Sequence, residues 1–237
     1  MPRIALGNVA VDVVLKDIKN VHLTVHPPNG RVRIAAPRRM SLDRIRLFAI
    51  AKLEWIRRQQ AAMRDQERED PRDYVERESH YVWGRRYLMS VVERDAPPSV
   101  ELKPRKVVLT VRPGTPKGRR AALVEEWYRR QLKEAVPALL ERWELTLGVK
   151  AEAVSIRRMK TKWGSCNPKA RTILLNTELA KKPRECLEYA VVHELVHLLE
   201  PTHNARFVAL MDEHMPAWPH YRRVLNRLPV RRENWTY

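Results

Sequence analysis

His193-Glu194-Leu195-Val196-His197 reads H-E-x-x-H inside the stretch LEYAVVHELVHLLEPTHNAR, which runs from Leu187 to Arg206. If the stretch is helical to about Leu199, the two histidines lie one turn apart on one face and can share a metal ion. Leu187, Tyr189, Ala190, Val191, Val192, Leu195, Val196, Leu198 and Leu199 leave that helix almost no polar face, so it belongs in a core. Buried His and Glu side chains need partners, and a bound cation supplies one. With a third histidine, a zinc ion keeps a fourth position open for water, as catalytic rather than structural sites do. Glu194, beside the first ligand but not itself one, is then placed to take a proton from that water. The chemistry expected is metal-assisted hydrolysis.

The third ligand must come from Glu200, His203, Asp212, Glu213 or His214. Pro201 cannot continue the helix and disfavours helical geometry at Glu200, so the chain should turn there and bring His203 back to the metal. The spacing equals that of H-E-x-x-H-x-x-G-x-x-H zincins, but Glu200 stands where their turn glycine would be, so membership of that clan does not follow. Cys166, in the polar turn Trp163-Gly164-Ser165-Cys166-Asn167-Pro168, is a rival nucleophile. A cysteine protease needs a paired histidine, however, and the best-placed histidines already have the metal role.

Several elements must position these groups. Pro183 suits the first turn of the metal helix. Upstream, the apolar runs AVSIRRM and RTILLN bracket WGSCNPKA and predict an antiparallel hairpin, with Ile173 to Asn176 as an edge able to pair with an extended peptide. Arg157, Arg158, Lys160, Lys162, Lys169 and Arg171 make that hairpin basic. Downstream, Thr202 can cap a second helix with Phe207, Leu210, Met211 and Met215 along one side, which Pro216, Trp218 and Pro219 close. Before the hairpin, Leu123, Trp127, Leu132, Val136, Leu139, Leu140 and Trp143 predict a long helix over Lys117 to Leu147, stopped by Gly148 and open to a kink at Pro137.

The first hundred or so residues read as a β-rich module. Val21, Leu23 and Val25 alternate, as do Val32 and Ile34, with a hairpin turn at Pro28-Asn29-Gly30. Ser41 or Asp43 opens a helix whose stripe is Leu42, Ile45, Phe48, Ala49, Leu53 and Ile56. A charged segment around Pro71 leads to strands in His80 to Glu93, turning at Gly84, and in Val100 to Pro113. His22 and His26 lie on a strand pattern and are read as surface or packing residues. The Pro/Gly punctuation of residues 113–118 places a boundary near residue 115. The fold class expected is α+β: a β-rich module with an embedded helix over 1–115, and over 116–237 a domain carrying the metal site on a buried helix.

With 237 residues, 44% hydrophobic and 31% charged, the composition is that of a globular protein with a core of its own. There is no run of eighteen apolar residues and no signal-peptide core near the N-terminus, so a membrane partner is not expected and the cytoplasm is the default location. Two cysteines are too few for a disulfide framework, and Cys186 should pack near the start of the metal helix. The net charge of +18 attracts polyanions, which makes nucleic acid a candidate partner. No RRM, zinc-finger or basic-zipper pattern accompanies it.

The residues VVHELVHLLEPTHNARFVALMDEHMPAW, preceded by KTKWGSC and TILLN, resemble the YgjP-like metal-dependent hydrolases, relatives of the SprT-like zincins. The resemblance extends to the N-terminal strands and WGRRYLMSV. It implies a zincin-like C-terminal domain, zinc held by His193, His197 and His203, Glu194 as general base, and metallopeptidase activity on a peptide or protein. Some SprT-like relatives act on proteins attached to DNA, which gives the positive charge a second meaning. Two other readings stay open: a nucleic-acid-associated protein whose zinc is structural, and a metal hydrolase of a non-peptide bond.

Overall fold

Strand alternation near the N-terminus builds a sheet from β1 (Arg3–Leu6), β2 (Val9–Lys16), β3 (His22–His26) and β4 (Arg31–Pro37), in the order β1-β2-β4-β3. The computed structural model describes residues 2–26, 30–65, 68–69, 72–159, 162–227 and 230–231. Pro28, Asn29, Pro71, Lys160 and the last six residues therefore lie outside the described residues. β3 and β4 pair antiparallel as expected, while β2 and β4 run parallel. Val11, Val13, Val32 and Ile34 face a core closed by Ile45, Ala49 and Ile56. These last come from α1 (Leu42–Ala51), which Ser41 caps by accepting the Arg44 N–H at 3.4 Å, and α2 (Leu53–Asp65). The single apolar stripe is thus split at Lys52, whose backbone leaves helical geometry at φ −105°. A short strand, β5 (Arg68–Glu69), follows.

A second sheet, ordered β6-β7-β9-β8, comprises β6 (Ser79–Val82), β7 (Arg85–Glu93), β8 (Ser99–Leu102) and β9 (Lys106–Val111). The long helix α3 (Lys117–Leu147) has the predicted bounds, passes Pro137 without ending, and stops at Gly148 in the left-handed conformation with φ 63°. Next come β10 (Ala153–Arg157), β11 (Gly164–Asn167), β12 (Thr172–Asn176), a 3-10 turn over Thr177–Lys181, and α4 (Arg184–Val196). α5 (Ala205–His214) and α6 (Trp218–Arg227) complete this part, and β13 (Val230–Arg231) pairs with β5.

The chain divides into two compact units, Met1–Pro71 with Pro229–Tyr237, and Arg72–Leu228. The second sheet belongs to the latter, because Val82, Met89, Val107 and Leu109 share one apolar cluster with Trp127 and Leu132 of α3 and Leu187 and Val191 of α4. Tyr128 also donates its hydroxyl to the Tyr81 carbonyl at 2.8 Å. The punctuation at 113–118 is therefore a connection inside a unit, and the packing boundary falls near residue 71. Gly84 shows how closely this sheet meets the metal helix. Its φ is +78°, and a Cβ there would sit 2.8 Å from Pro183 Cγ, while its N–H donates to the Lys181 carbonyl at 3.1 Å.

The region before α4 differs from the predicted hairpin. β10 and β12 are parallel, and the WGSC stretch is itself a strand, β11, which pairs antiparallel with β12. Ile173 to Asn176 is thus paired on both sides, and β11 is the edge beside the site. The turn from β11 to β12 ends at Arg171 with φ 50°.

Candidate metal centre

α4 is buried along most of its surface: Cys186, Leu187, Ala190, Val191, Val192, Leu195 and Val196 are in the core. Its last helical residue is Val196, and His197 sits just beyond, still near helical geometry at φ −65° and ψ −15°. The Glu200 N–H donates to the Val196 carbonyl at 2.9 Å before Pro201 ends the run. The Glu200 carboxylate then accepts from the Thr202 N–H at 3.2 Å and the Thr202 hydroxyl at 2.9 Å, tightening the turn that follows. Asn204, not Thr202, caps α5, its side chain accepting the Phe207 N–H at 3.0 Å. His203 belongs to this turn, which brings it back over α4.

His193 and His203 bring their Nε2 atoms to 3.0 Å, and one nitrogen from each of His193, His197 and His203 lies within 4.8 Å of the others. Ring centroids are 4.9 Å apart for His193 and His197, 4.9 Å for His193 and His203, and 4.6 Å for His197 and His203. Phe207 packs against all three at 5.0, 4.7 and 4.7 Å, an apolar plug that fixes the rings. His197 Nδ1 is 3.0 Å from the Glu200 carbonyl oxygen; that oxygen only accepts, so Nδ1 carries the hydrogen and, in the neutral ring, Nε2 is the nitrogen left to ligate. Among the described residues this is the one group of three or more His, Cys, Asp or Glu side chains close enough to share a cation. Asp212, an alternative ligand by sequence, accepts instead from Trp218 Nε1 at 2.7 Å.

The donor set suits a metal on two further counts. Tetrahedral zinc with bonds of about 2.0–2.1 Å sets its ligand nitrogens about 3.4 Å apart, near the spacing between His193 and His203. Burial, followed by the neighbouring His197 and His203, pushes His193 down to about 3, and burial also lowers His203. Both rings are therefore neutral at pH 7, the form in which imidazole ligates. His193 Nδ1 is buried without a hydrogen-bond partner, so it does not hold the ring on its own.

Glu194 is 6% exposed and faces a cleft of about 540 Å³ lined also by the three histidines, Gly164, Ser165, Cys166, Tyr189, Lys162 and Arg222. Burial pushes its carboxyl up to about 7, with Lys162 acting in the opposite direction. The start of β11 is pressed onto this carboxyl: a Cβ at Gly164 would lie 2.6 Å from Glu194 Oε1 and 2.8 Å from its Cγ. Only a residue without a side chain fits there. The strand is held in turn by Asn176, 4% exposed, whose N–H donates to the Trp163 carbonyl at 2.9 Å. Its side-chain amide donates to the carbonyls of Lys162 at 2.7 Å and Met159 at 3.0 Å, and accepts from the N–H groups of Glu178 at 3.1 Å and Met159 at 3.2 Å.

Cys166 also lines the cleft. Burial, then the Glu194 carboxylate, pushes its thiol up to about 11, far from the thiolate that attack requires. Cys186 is wholly buried in α4, where it packs. Sequence reasoning expected the histidines and Glu194 to meet but not the packing of Gly164 on Glu194, the hydrogen bonds of Asn176, the seat of Phe207 against the three rings or Arg222 in the cleft. For Gly164 the signal was the glycine of WGSC; the others carry none, since their contacts are made only by the folded chain. No helix among the described residues is long and apolar enough to cross a membrane.

The model of the YgjP-like family, a metallopeptidase domain, matches residues 19–228. No curated protein matches the chain. Among solved structures, the metallopeptidase zymogen abylysin of Pyrococcus abyssi is 28% identical, with 40% of this chain and 99% of that one covered and a TM-score of 0.36. The metallopeptidase zymogen jannalysin of Methanocaldococcus jannaschii is 20% identical, with 37% and 90% covered and a TM-score of 0.34.

Proposed function

Since the chain belongs to the YgjP-like metallopeptidase family, we propose that it is a zinc-dependent peptidase whose metal is held by His193, His197 and His203 and whose general base is Glu194. The observation that carries this reading is the meeting of the three imidazoles with one buried carboxyl in a single cleft. When bound, zinc supplies Lewis acidity, lowering the pKa of a water molecule and polarising the scissile carbonyl.

The chain's own residues do the rest. His197 is oriented by the Glu200 carbonyl, and all three rings by Phe207. Glu194 accepts a proton from the attacking water and returns it to the leaving amine; burial makes its carboxyl a better base than a solvated one. Gly164 keeps that carboxyl in place by leaving it room. β11 offers its unpaired edge to an extended peptide, taking the role that the sequence suggested for Ile173 to Asn176.

Glu194→Gln tests the assignment. It should retain one equivalent of zinc and lose on the order of 10³-fold in peptide hydrolysis, the scale of general base catalysis. Undiminished turnover by that variant would remove Glu194 from the mechanism.

A further inference from the structure

Among the described residues Glu194 is the sole acidic one lining the cleft, whereas Lys162 and Arg222 both line it as permanent cations. They approach from different elements: Lys162 stands two residues before the edge strand β11, and Arg222 lies on α6. Lys162 acts on Glu194, while Arg222 acts on Tyr189, His193 and His203, so the pair brackets the reacting groups. Neither forms an ion pair among the described residues. The Arg222 guanidinium lies 5.9 Å from the Trp218 ring, a contact that leaves its hydrogen-bond donors free for a ligand. Some cations of the same unit do have acidic partners, among them Arg120 with Glu93, Arg129 with Glu126 and Arg142 with Glu188. The described lining therefore carries two permanent cations and one carboxyl, before any divalent cation adds its own.

From this placement we propose that Lys162 and Arg222 are specificity residues that select peptides carrying a carboxylate next to the scissile bond. The inference rests on the peptidase reading, because a scissile carbonyl at the three imidazoles puts the neighbouring residues of the peptide within reach of both side chains. The carboxylate can come from an acidic side chain or from a free C-terminus. Guanidinium favours planar, two-point recognition of a carboxylate, and the lysine adds a point charge from a second element. Both cations are exposed, so each contributes modestly and salt screens the effect.

The test uses matched peptides with Glu, Gln or Lys beside the cleaved bond, each with a free or amidated C-terminus, and the wild type, Lys162→Gln, Arg222→Gln and the double variant. Cleavage is followed with the zinc-loaded proteins. Binding is measured separately with the same substitutions built on zinc-loaded Glu194→Gln. For the wild type, the Glu peptide should exceed its Gln counterpart about tenfold in kcat/KM and in affinity, falling about threefold with each cation removed and vanishing in the double variant or at high salt. If the C-terminus supplies the carboxylate, the ratio appears between free and amidated peptides instead. Equal values across the set, or a ratio that survives the double variant, would overturn the proposal. Should no peptide be cleaved while the binding ratio persists, the peptidase reading fails and the anion selectivity stands.

Discussion

Gly164 and Glu194 show how much of the site depends on single atoms. The 2.6 Å approach of a hypothetical Cβ to Glu194 Oε1 means that Gly164→Ala must displace either the carboxyl or the strand. We expect about a hundredfold loss of kcat/KM with zinc still bound, the cost of misplacing a catalytic group by about an ångström; metal content and steady-state rates measured together check this. The burial that makes Glu194 a good base also destabilises the fold. Its carboxyl has a folded pKa of about 7 against an ordinary 4.5, so the stability it contributes is fully present below pH 4.5 and lost as pH rises through 7. Metal-free Glu194→Gln should therefore be more stable than metal-free wild type at pH 8, by on the order of 2 kcal/mol, with the difference fading toward pH 4.5. Denaturant titrations across that range read it directly. At this scale the grouping of His193, His197 and His203 was legible in residue type and spacing. Gly164 was not, because its partner lies thirty positions away and the packing between them is tertiary.

Elements decide where those atoms stand. α4 and α3 were readable from apolar periodicity, with the C-terminal cap Gly148 marking the end of α3 in both sequence and structure. The sheet was not: two apolar runs around a turn suggest a hairpin, but β10 lies parallel to β12 and β11 takes the other side. Parallel pairing depends on a crossover connection, which local alternation does not record. The cap of α5 moved from Thr202 to Asn204 for a similar reason, since the Glu200 carboxylate engages the threonine. Asn176 is the element-scale joint, tying β12 to the segments before β11 and after itself. Asn176→Asp keeps the shape and the acceptors but turns two amide donations into repulsions with the Met159 and Lys162 carbonyls. It should lower kcat/KM at least about tenfold per zinc-loaded molecule well below its melting temperature, beyond any loss of stability. Unchanged kinetics would reduce Asn176 to a packing role.

Over the whole molecule, two apolar clusters serve two compact units, and the candidate centre lies in the larger, Arg72–Leu228. The α+β class was legible in the text of the chain; the allocation of the second sheet was not, because Pro and Gly mark a turn whether or not a packing boundary coincides with it. A cation bound only to the folded state stabilises by mass action, about 2.7 kcal/mol at a hundredfold excess over Kd. Amide exchange should accordingly slow in α4, β11 and α5 when zinc is added, with residues 2–26 unaffected. The charge of +18 acts at this scale too, attracting polyanions to the protein in a salt-dependent way.

The most direct test of three imidazoles sharing one cation is metal analysis of the purified protein beside His193→Gln, His197→Gln and His203→Gln, each confirmed folded by circular dichroism. One equivalent of zinc in the wild type, with affinity lost by orders of magnitude in every variant, is the result expected. Wild-type affinity retained in His203→Gln, or in either of the others, would contradict it.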